Sequence, residues 1–200
     1  NDFWAERDYS AKLGKWHAAT LMAHAFNDWN VMPEHSVTFY EALKAKGVPV
    51  QCFFHQGGHG GPPPMAQMNR WFTRYLYGVE NGVERDPKAW VVREGARLNQ
   101  PTPYADYPNP EAELVAFFPT KCGRESGWLE LATKDGQGKE ELVDDVSVAG
   151  AKLAAEKKSR QRLLYASAVL KEPVHLSGTG KITLKVAANR PASNLSVWIV

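Results

Sequence analysis

The first part of the chain has a pattern of apolar and polar positions that predicts strands separated by helices. Residues 16–26 contain a continuous apolar run, and residues 48–54 form a second, shorter one. Between them, Pro33 and Gly47 are suited to begin and end an amphipathic helix. The pattern therefore predicts two parallel strands joined by a helix, followed by a second helix over residues 65–77.

Beyond residue 84 the helical periodicity largely disappears, and short apolar runs typical of a β-sandwich or jelly roll take its place. These runs are residues 90–92, 114–118, 128–131, 163–170, 182–186 and 195–200. Residues 100–113 hold four prolines and are predicted to be a surface loop, and residues 149–162 an exposed excursion or short helix. We therefore predict an α/β part over residues 1–84 and an all-β part over residues 85–200.

Composition and charge narrow the possible functions. The 200 residues are 44% hydrophobic and 23% charged, with a formal net charge of +2, which does not favour a nucleic-acid-binding or membrane-surface protein. No apolar run approaches the length of about 18 residues that a membrane span needs. Cys52 and Cys122 are too few for a disulfide framework, and no histidine or cysteine spacing suits zinc. We predict no metal or other cofactor, and the sequence leaves a cytoplasmic or a secreted location open.

Asp28 and His59 are the candidate catalytic residues. Each follows one of the two predicted parallel strands, so both should emerge at the carboxyl edge of the sheet, where α/β proteins carry their chemistry. A carboxylate bonded to an imidazole fixes its tautomer, and Asp before His matches the order in α/β-hydrolases. The glycines of residues 57–61 should let a substrate approach the ring of His59. His24 and His55 are interpreted as packed or supporting residues. On the pattern alone, a turn aspartate and a solvated histidine remain alternatives.

The chain lacks a recognisable nucleophile. None of its nine serines lies in a Gly-x-Ser-x-Gly sequence, and in an α/β-hydrolase the nucleophile precedes the aspartate. The chain begins without Met and stops within an apolar run. We therefore expect a fragment cut at both ends, with the nucleophilic serine upstream, and we predict that this fragment alone is inactive.

Several segments resemble the Xaa-Pro dipeptidyl-peptidases, serine peptidases of the cocaine-esterase-like α/β-hydrolase group. The most specific are residues 24–31 (HAFNDWNV) and 55–59 (HQGGH), supported by residues 3–9 and 71–83. Ala25 departs from the family, which usually has Gly at that position. The resemblance implies that Asp28 is the triad carboxylate and His59 the general base.

The same resemblance implies a fold, a substrate and partners. It implies the end of an α/β-hydrolase domain followed by a galactose-binding-like jelly roll, and a peptide substrate with proline at its second position. A homo-oligomer is compatible with it, whereas a nucleic-acid partner is not expected. Two alternatives stay open: an acyl or α-amino-acid ester hydrolase of the same group, and a non-catalytic binding module on a dead hydrolase.

Overall fold

The computed structural model describes residues 2–121, 126–132 and 138–199. Its main sheet is built from β1 (Thr20–Ala25), β2 (Val50–His55), β3 (Ala89–Val91) and β4 (Thr102–Tyr104), in that spatial order. β1, β2 and β3 are parallel, and β4 is antiparallel to β3. The predicted parallel pair is therefore present, and it continues into a third parallel strand.

The two predicted helices are confirmed, and each is followed by a glycine. The α-helices of the described residues are α1 (Asp2–Ala5), α2 (Pro33–Ala45), α3 (Met65–Tyr77) and α4 (Gly150–Ala155), with 3-10 turns at Ser10–Lys15 and Val83–Arg85. Gly47 and Gly78 both have a φ of +72°, just beyond α2 and α3. This left-handed backbone ends a helix, and glycine adopts it without steric cost.

The hydrophobic core lies between α2 and the sheet. All six residues of β2 are buried, as expected for a central strand covered on both faces. From α2, the fully buried side chains of Tyr40 and Leu43 pack into the same cluster as Cys52 and Phe54 of β2. This packing holds β2 rigidly and so fixes the loop that follows its carboxyl end.

The proline-rich segment 100–113, predicted to be a surface loop, contains β4 instead. Pro103 lies within this strand, opposite Trp90 of β3. β4 is the last strand at its edge of the sheet, where the missing N–H of a proline costs no hydrogen bond to a further neighbour. Proline content alone therefore misplaces a short edge strand.

Residues 111–176 form a compact unit of their own. Its sheet consists of β5 (Phe118–Pro119), β6 (Gly127–Glu130) and β7 (Tyr165–Ala166). β6 matches the predicted run 128–131, while β5 and β7 occupy only small parts of the runs 114–118 and 163–170. α4 lies within residues 149–162, for which a short helix is one of the two predicted alternatives.

Two predicted strands are absent from the part of the chain that the structure describes. Residues 182–186 and 195–199 have no strand, and Ile182, Leu184 and Val186 are exposed. An alternating pattern produces a strand only where a neighbour satisfies its N–H and C=O groups. In the described residues no strand pairs with either segment.

The architecture is α/β, with a mixed main sheet and a second, β-containing part. Contacts define one compact unit of Asn1–Pro110 with Ser177–Val200 and another of Glu111–Leu176. The boundary between residues 84 and 85 stays a prediction. Among the described helices, none has the length and hydropathy needed to cross a bilayer.

Candidate active site

The carboxyl ends of β1 and β2 hold the two loops that carry the candidate residues. Ala25 lies opposite His55 in the parallel register, so both strands end at the same edge of the sheet. The Phe26 N–H donates to the His55 carbonyl at 2.7 Å, and Asn27 Nδ2 donates to the Gln56 carbonyl at 2.7 Å. Asn27 therefore ties the two loops together.

Asp28 and His59 are in direct contact at this edge. Asp28 Oδ2 lies 2.9 Å from His59 Nδ1. A carboxylate only accepts hydrogen bonds, so Nδ1 carries the proton and the lone pair of neutral His59 is on Nε2. The Asp28 side chain is 5% exposed and that of His59 is 65% exposed. A buried anion thus holds an accessible imidazole in the tautomer that can take up a proton.

The loop after β1 fixes the other oxygen of the Asp28 carboxylate. Oδ1 accepts the backbone N–H groups of Asn30 at 2.9 Å and Val31 at 3.0 Å. The Val31 N–H is the largest influence on the pKa of Asp28, which these bonds and His59 lower to about 2 against the opposing effect of burial. Asp28 is consequently ionised over the whole neutral range, as a partner of an imidazolium must be.

Two of the glycines around His59 make room for the buried ring of His55. Gly57 donates its N–H to His55 Nδ1 at 3.0 Å. A Cβ on Gly57 would lie 2.8 Å from His55 Nδ1, and one on Gly61 only 2.5 Å from His55 Nε2. The loop therefore turns around the buried ring of His55, and these two glycines make room for that ring. That the glycines also let a substrate approach His59 stays a prediction.

Among the residues that the structure describes, the other candidate groups form no second centre. Cys52 is buried, and burial raises the pKa of its thiol, which disfavours a nucleophilic thiolate. Cys122 lies outside the described residues. Within the described ranges, no group of three or more His, Cys, Asp or Glu side chains is arranged to hold a metal ion.

Comparisons with known proteins place the chain in one family. Residues 1–61 match the family model of the X-Pro dipeptidyl-peptidases of the S15 family. Residues 81–200, more than half of the chain, match the C-terminal non-catalytic domain of X-Pro dipeptidyl-peptidases. The chain belongs to the X-Pro dipeptidyl-peptidase family. Asp28 and His59 both fall within the segment that matches the S15 model.

Curated relatives carry the family name as well. A protein of Rhodopirellula baltica, provisionally named an Xaa-Pro dipeptidyl-peptidase, is 54% identical over 200 residues, covering 100% of this chain and 32% of the relative. A Bacillus anthracis protein with the same provisional name is 31% identical over 208 residues, which is 100% of this chain and 34% of the relative. The Xaa-Pro dipeptidyl-peptidase of Lactobacillus delbrueckii subsp. bulgaricus is 28% identical over 215 residues, 100% of this chain and 27% of the relative. The chain thus spans about a third of the length of these X-Pro dipeptidyl-peptidase relatives.

Proposed function

We propose that the intact protein is a serine-type dipeptidyl-peptidase that releases Xaa-Pro dipeptides from the N-termini of peptides. Asp28 and His59 are two members of its Ser-His-Asp triad, and the serine belongs to a part of the protein outside this chain. The observation that carries the proposal is the 2.9 Å contact between Asp28 Oδ2 and His59 Nδ1 in a chain of this family. The jelly-roll form of residues 85–200 and assembly into a homo-oligomer are further parts of the proposal.

The arrangement of the pair determines its part in the reaction. His59 Nε2 accepts the proton of the serine hydroxyl as the serine oxygen bonds to the carbonyl carbon of the proline residue. The imidazolium then gives this proton to the leaving amine, which breaks the peptide bond and leaves an ester on the serine. His59 activates water in the same way to release the dipeptide. Asp28 stays ionised throughout and stabilises the imidazolium through Nδ1–H.

Substitution of each member in the intact protein tests the proposal. Asp28→Asn and His59→Ala should each lower kcat for an Ala-Pro anilide by about 10⁴-fold, because the tautomer is lost in the first and the base in the second. His35→Gln is the matched control, since His35 is an exposed histidine on α2. A fluorophosphonate probe reports whether an activated serine is present.

The outcomes separate the proposed function from its rivals. Near-wild-type kcat in either site variant contradicts the triad assignment. Faster hydrolysis of simple aryl esters than of the anilide identifies an ester hydrolase instead. An intact protein that neither labels with the probe nor cleaves either substrate is a binding module.

A further inference from the structure

A second histidine, His24 near the end of β1, lies directly behind the Asp28 carboxylate. Its side chain is only 8% exposed, and Nε2 lies 3.5 Å from Asp28 Oδ2. Nε2 is also 2.9 Å from the Val31 carbonyl oxygen. On the other side of the ring, Nδ1 is 2.5 Å from the hydroxyl of Ser36 in the first turn of α2. The imidazole thus bridges β1, the loop that carries Asp28, and α2.

The partners of His24 fix its tautomer. A carbonyl oxygen only accepts, so Nε2 carries the proton and donates it to Val31. In the neutral ring, Nδ1 then has the lone pair and accepts the hydroxyl proton of Ser36. The Nε2–H is thus directed at the site loop, and both ring nitrogens have a partner.

The backbone contacts of Val31 show how His24 acts on the loop that carries Asp28. Its N–H donates to Asp28 Oδ1 at 3.0 Å, and its carbonyl accepts from His24 Nε2 at 2.9 Å. Val31 is therefore held at both of its backbone polar groups, one by the catalytic carboxylate and one by His24. Loss of the second bond would free the loop whose amides hold Asp28 in place.

The Asp28 oxygen near His24 is also the one that binds the general base. Oδ2 accepts from His59 Nδ1 at 2.9 Å and has His24 Nε2 at 3.5 Å. His24 therefore approaches the carboxylate from inside the protein while His59 approaches it from the exposed side. Movement of the carboxylate would be transmitted directly to the His59 ring.

We propose that His24 is a positioning residue for the proposed triad: its Nε2–H holds the Val31 carbonyl and so fixes the Asp28 carboxylate that orients His59. The inference rests on the proposed function, because it assigns His24 a role in that reaction. His24 does not touch the substrate; it acts through Asp28. Its effect should therefore appear in kcat and in the pH profile of kcat/KM, with little effect on KM.

Two substitutions of similar size in the intact protein test the two ring nitrogens of His24 one at a time. In His24→Gln the side-chain amide can replace the Nε2 donor that reaches Val31, whereas in His24→Asn it replaces only the Nδ1 side that faces Ser36. We expect His24→Gln to keep kcat within several-fold of wild type and His24→Asn to lower it by about 10- to 100-fold, since a small displacement of a catalytic group has an effect of this order. KM for the Ala-Pro anilide should change by less than about 3-fold in both.

The pH dependence of kcat/KM distinguishes positioning from simple loss of structure. Its acidic limb reports the ionisation of the general base in the free enzyme. A displaced Asp28 stabilises the His59 imidazolium less, so the acidic limb of the profile should move to lower pH in His24→Asn and not in His24→Gln. Ser36→Ala, which keeps the imidazole, should lower kcat several-fold and shift the limb in the same direction.

The variants are read together with His35→Gln and Asp28→Asn. Equal kcat and equal acidic limbs in the Gln and Asn variants overturn the inference, as does an unchanged profile in Ser36→Ala if His24→Asn does not fold. If Asp28→Asn retains wild-type kcat, the proposed function fails and the role of His24 fails with it. If Asp28→Asn is inactive and the Gln and Asn variants are alike, only the role of His24 is wrong.

Discussion

The parallel-sheet region and the unit of residues 111–176 both contain short apolar runs, but only the first buries them. Every residue of β2 is buried, whereas Leu114 and Val169, in two of the runs of the second unit, are at least 95% exposed. In the first region each strand has a neighbour in register and α2 covers the sheet. The described strands of the second unit are two to four residues long. An apolar run thus becomes a rigid support for chemistry only when pairing and covering elements are both present.

The largest effect that tests this difference is expected in the core of the sheet. Phe54→Ala should lower the free energy of unfolding of the intact protein by about 3–5 kcal/mol, because it removes a fully buried ring and leaves a cavity beside Tyr107. Leu114→Ala should change it by less than about 0.5 kcal/mol. Urea unfolding measures both. Similar losses at the two positions would show that the two regions do not differ in this way.

The sequence predicts the sheet region well because its signals there are local. Pro33, Gly47 and Gly78 mark helix ends through their own backbone preferences, and these preferences act wherever the residues lie. The positions of Asp28 and His59, each just after one of two parallel strands, likewise predict that the two residues meet, since parallel strands end at a common edge. Catalysis by this pair stays a proposal.

Features that depend on distant packing could not be predicted in the same way. The glycines of residues 57–61 indicate a tight turn, but only the folded chain shows that this turn also encloses the ring of His55. The hydrogen bonds of His24 to Val31 and Ser36 likewise join segments that no sequence pattern predicts to be in contact. β4 and the unpaired segments 182–186 and 195–199 differ from their predictions for the same reason, because a strand depends on a neighbour.

A smaller effect should show that tight packing continues beyond β2 into the loop that carries His59. Gly61 has a φ of +99° and no room for a Cβ beside His55 Nε2, whereas Gly58 has open space and no positive φ. Gly61→Ala should therefore destabilise the intact protein by about 1–3 kcal/mol and lower kcat, while Gly58→Ala should do neither.

Gly60→Ala separates the two causes of this effect. Gly60 has a φ of +96° but open space for a Cβ, so alanine at this position would strain the backbone without causing a clash. The melting temperature of Gly60→Ala should lie between those of Gly58→Ala and Gly61→Ala. Equal melting temperatures for Gly58→Ala and Gly61→Ala would contradict the packing of the loop around His55.

The smallest effect concerns acid stability and compares one carboxylate from each region. The pKa of Asp28 is lowered to about 2 by the Val31 N–H first and by His59 and Asn30 in addition, while that of an unfolded aspartate is about 3.9. The folded state therefore binds fewer protons than the unfolded state, and Asp28 stabilises the protein fully above about pH 4. This contribution should be lost as the pH falls from about 4 to about 2.

Asp28→Asn should remove that part of the acid sensitivity, so its stability should decline less steeply between pH 4 and pH 2 than that of the wild type. Asp145→Asn is the control from the second unit. Its carboxylate also has a lowered pKa, owing to the Ser147 hydroxyl and N–H, but these bonds lie on an exposed segment, where water replaces them readily. Melting temperatures across this pH range measure the difference. A steeper decline of stability in Asp28→Asn than in the wild type would contradict the bonding of this carboxylate by the loop after β1. If Asp145→Asn alters the decline as much as Asp28→Asn does, the two regions do not differ in this respect.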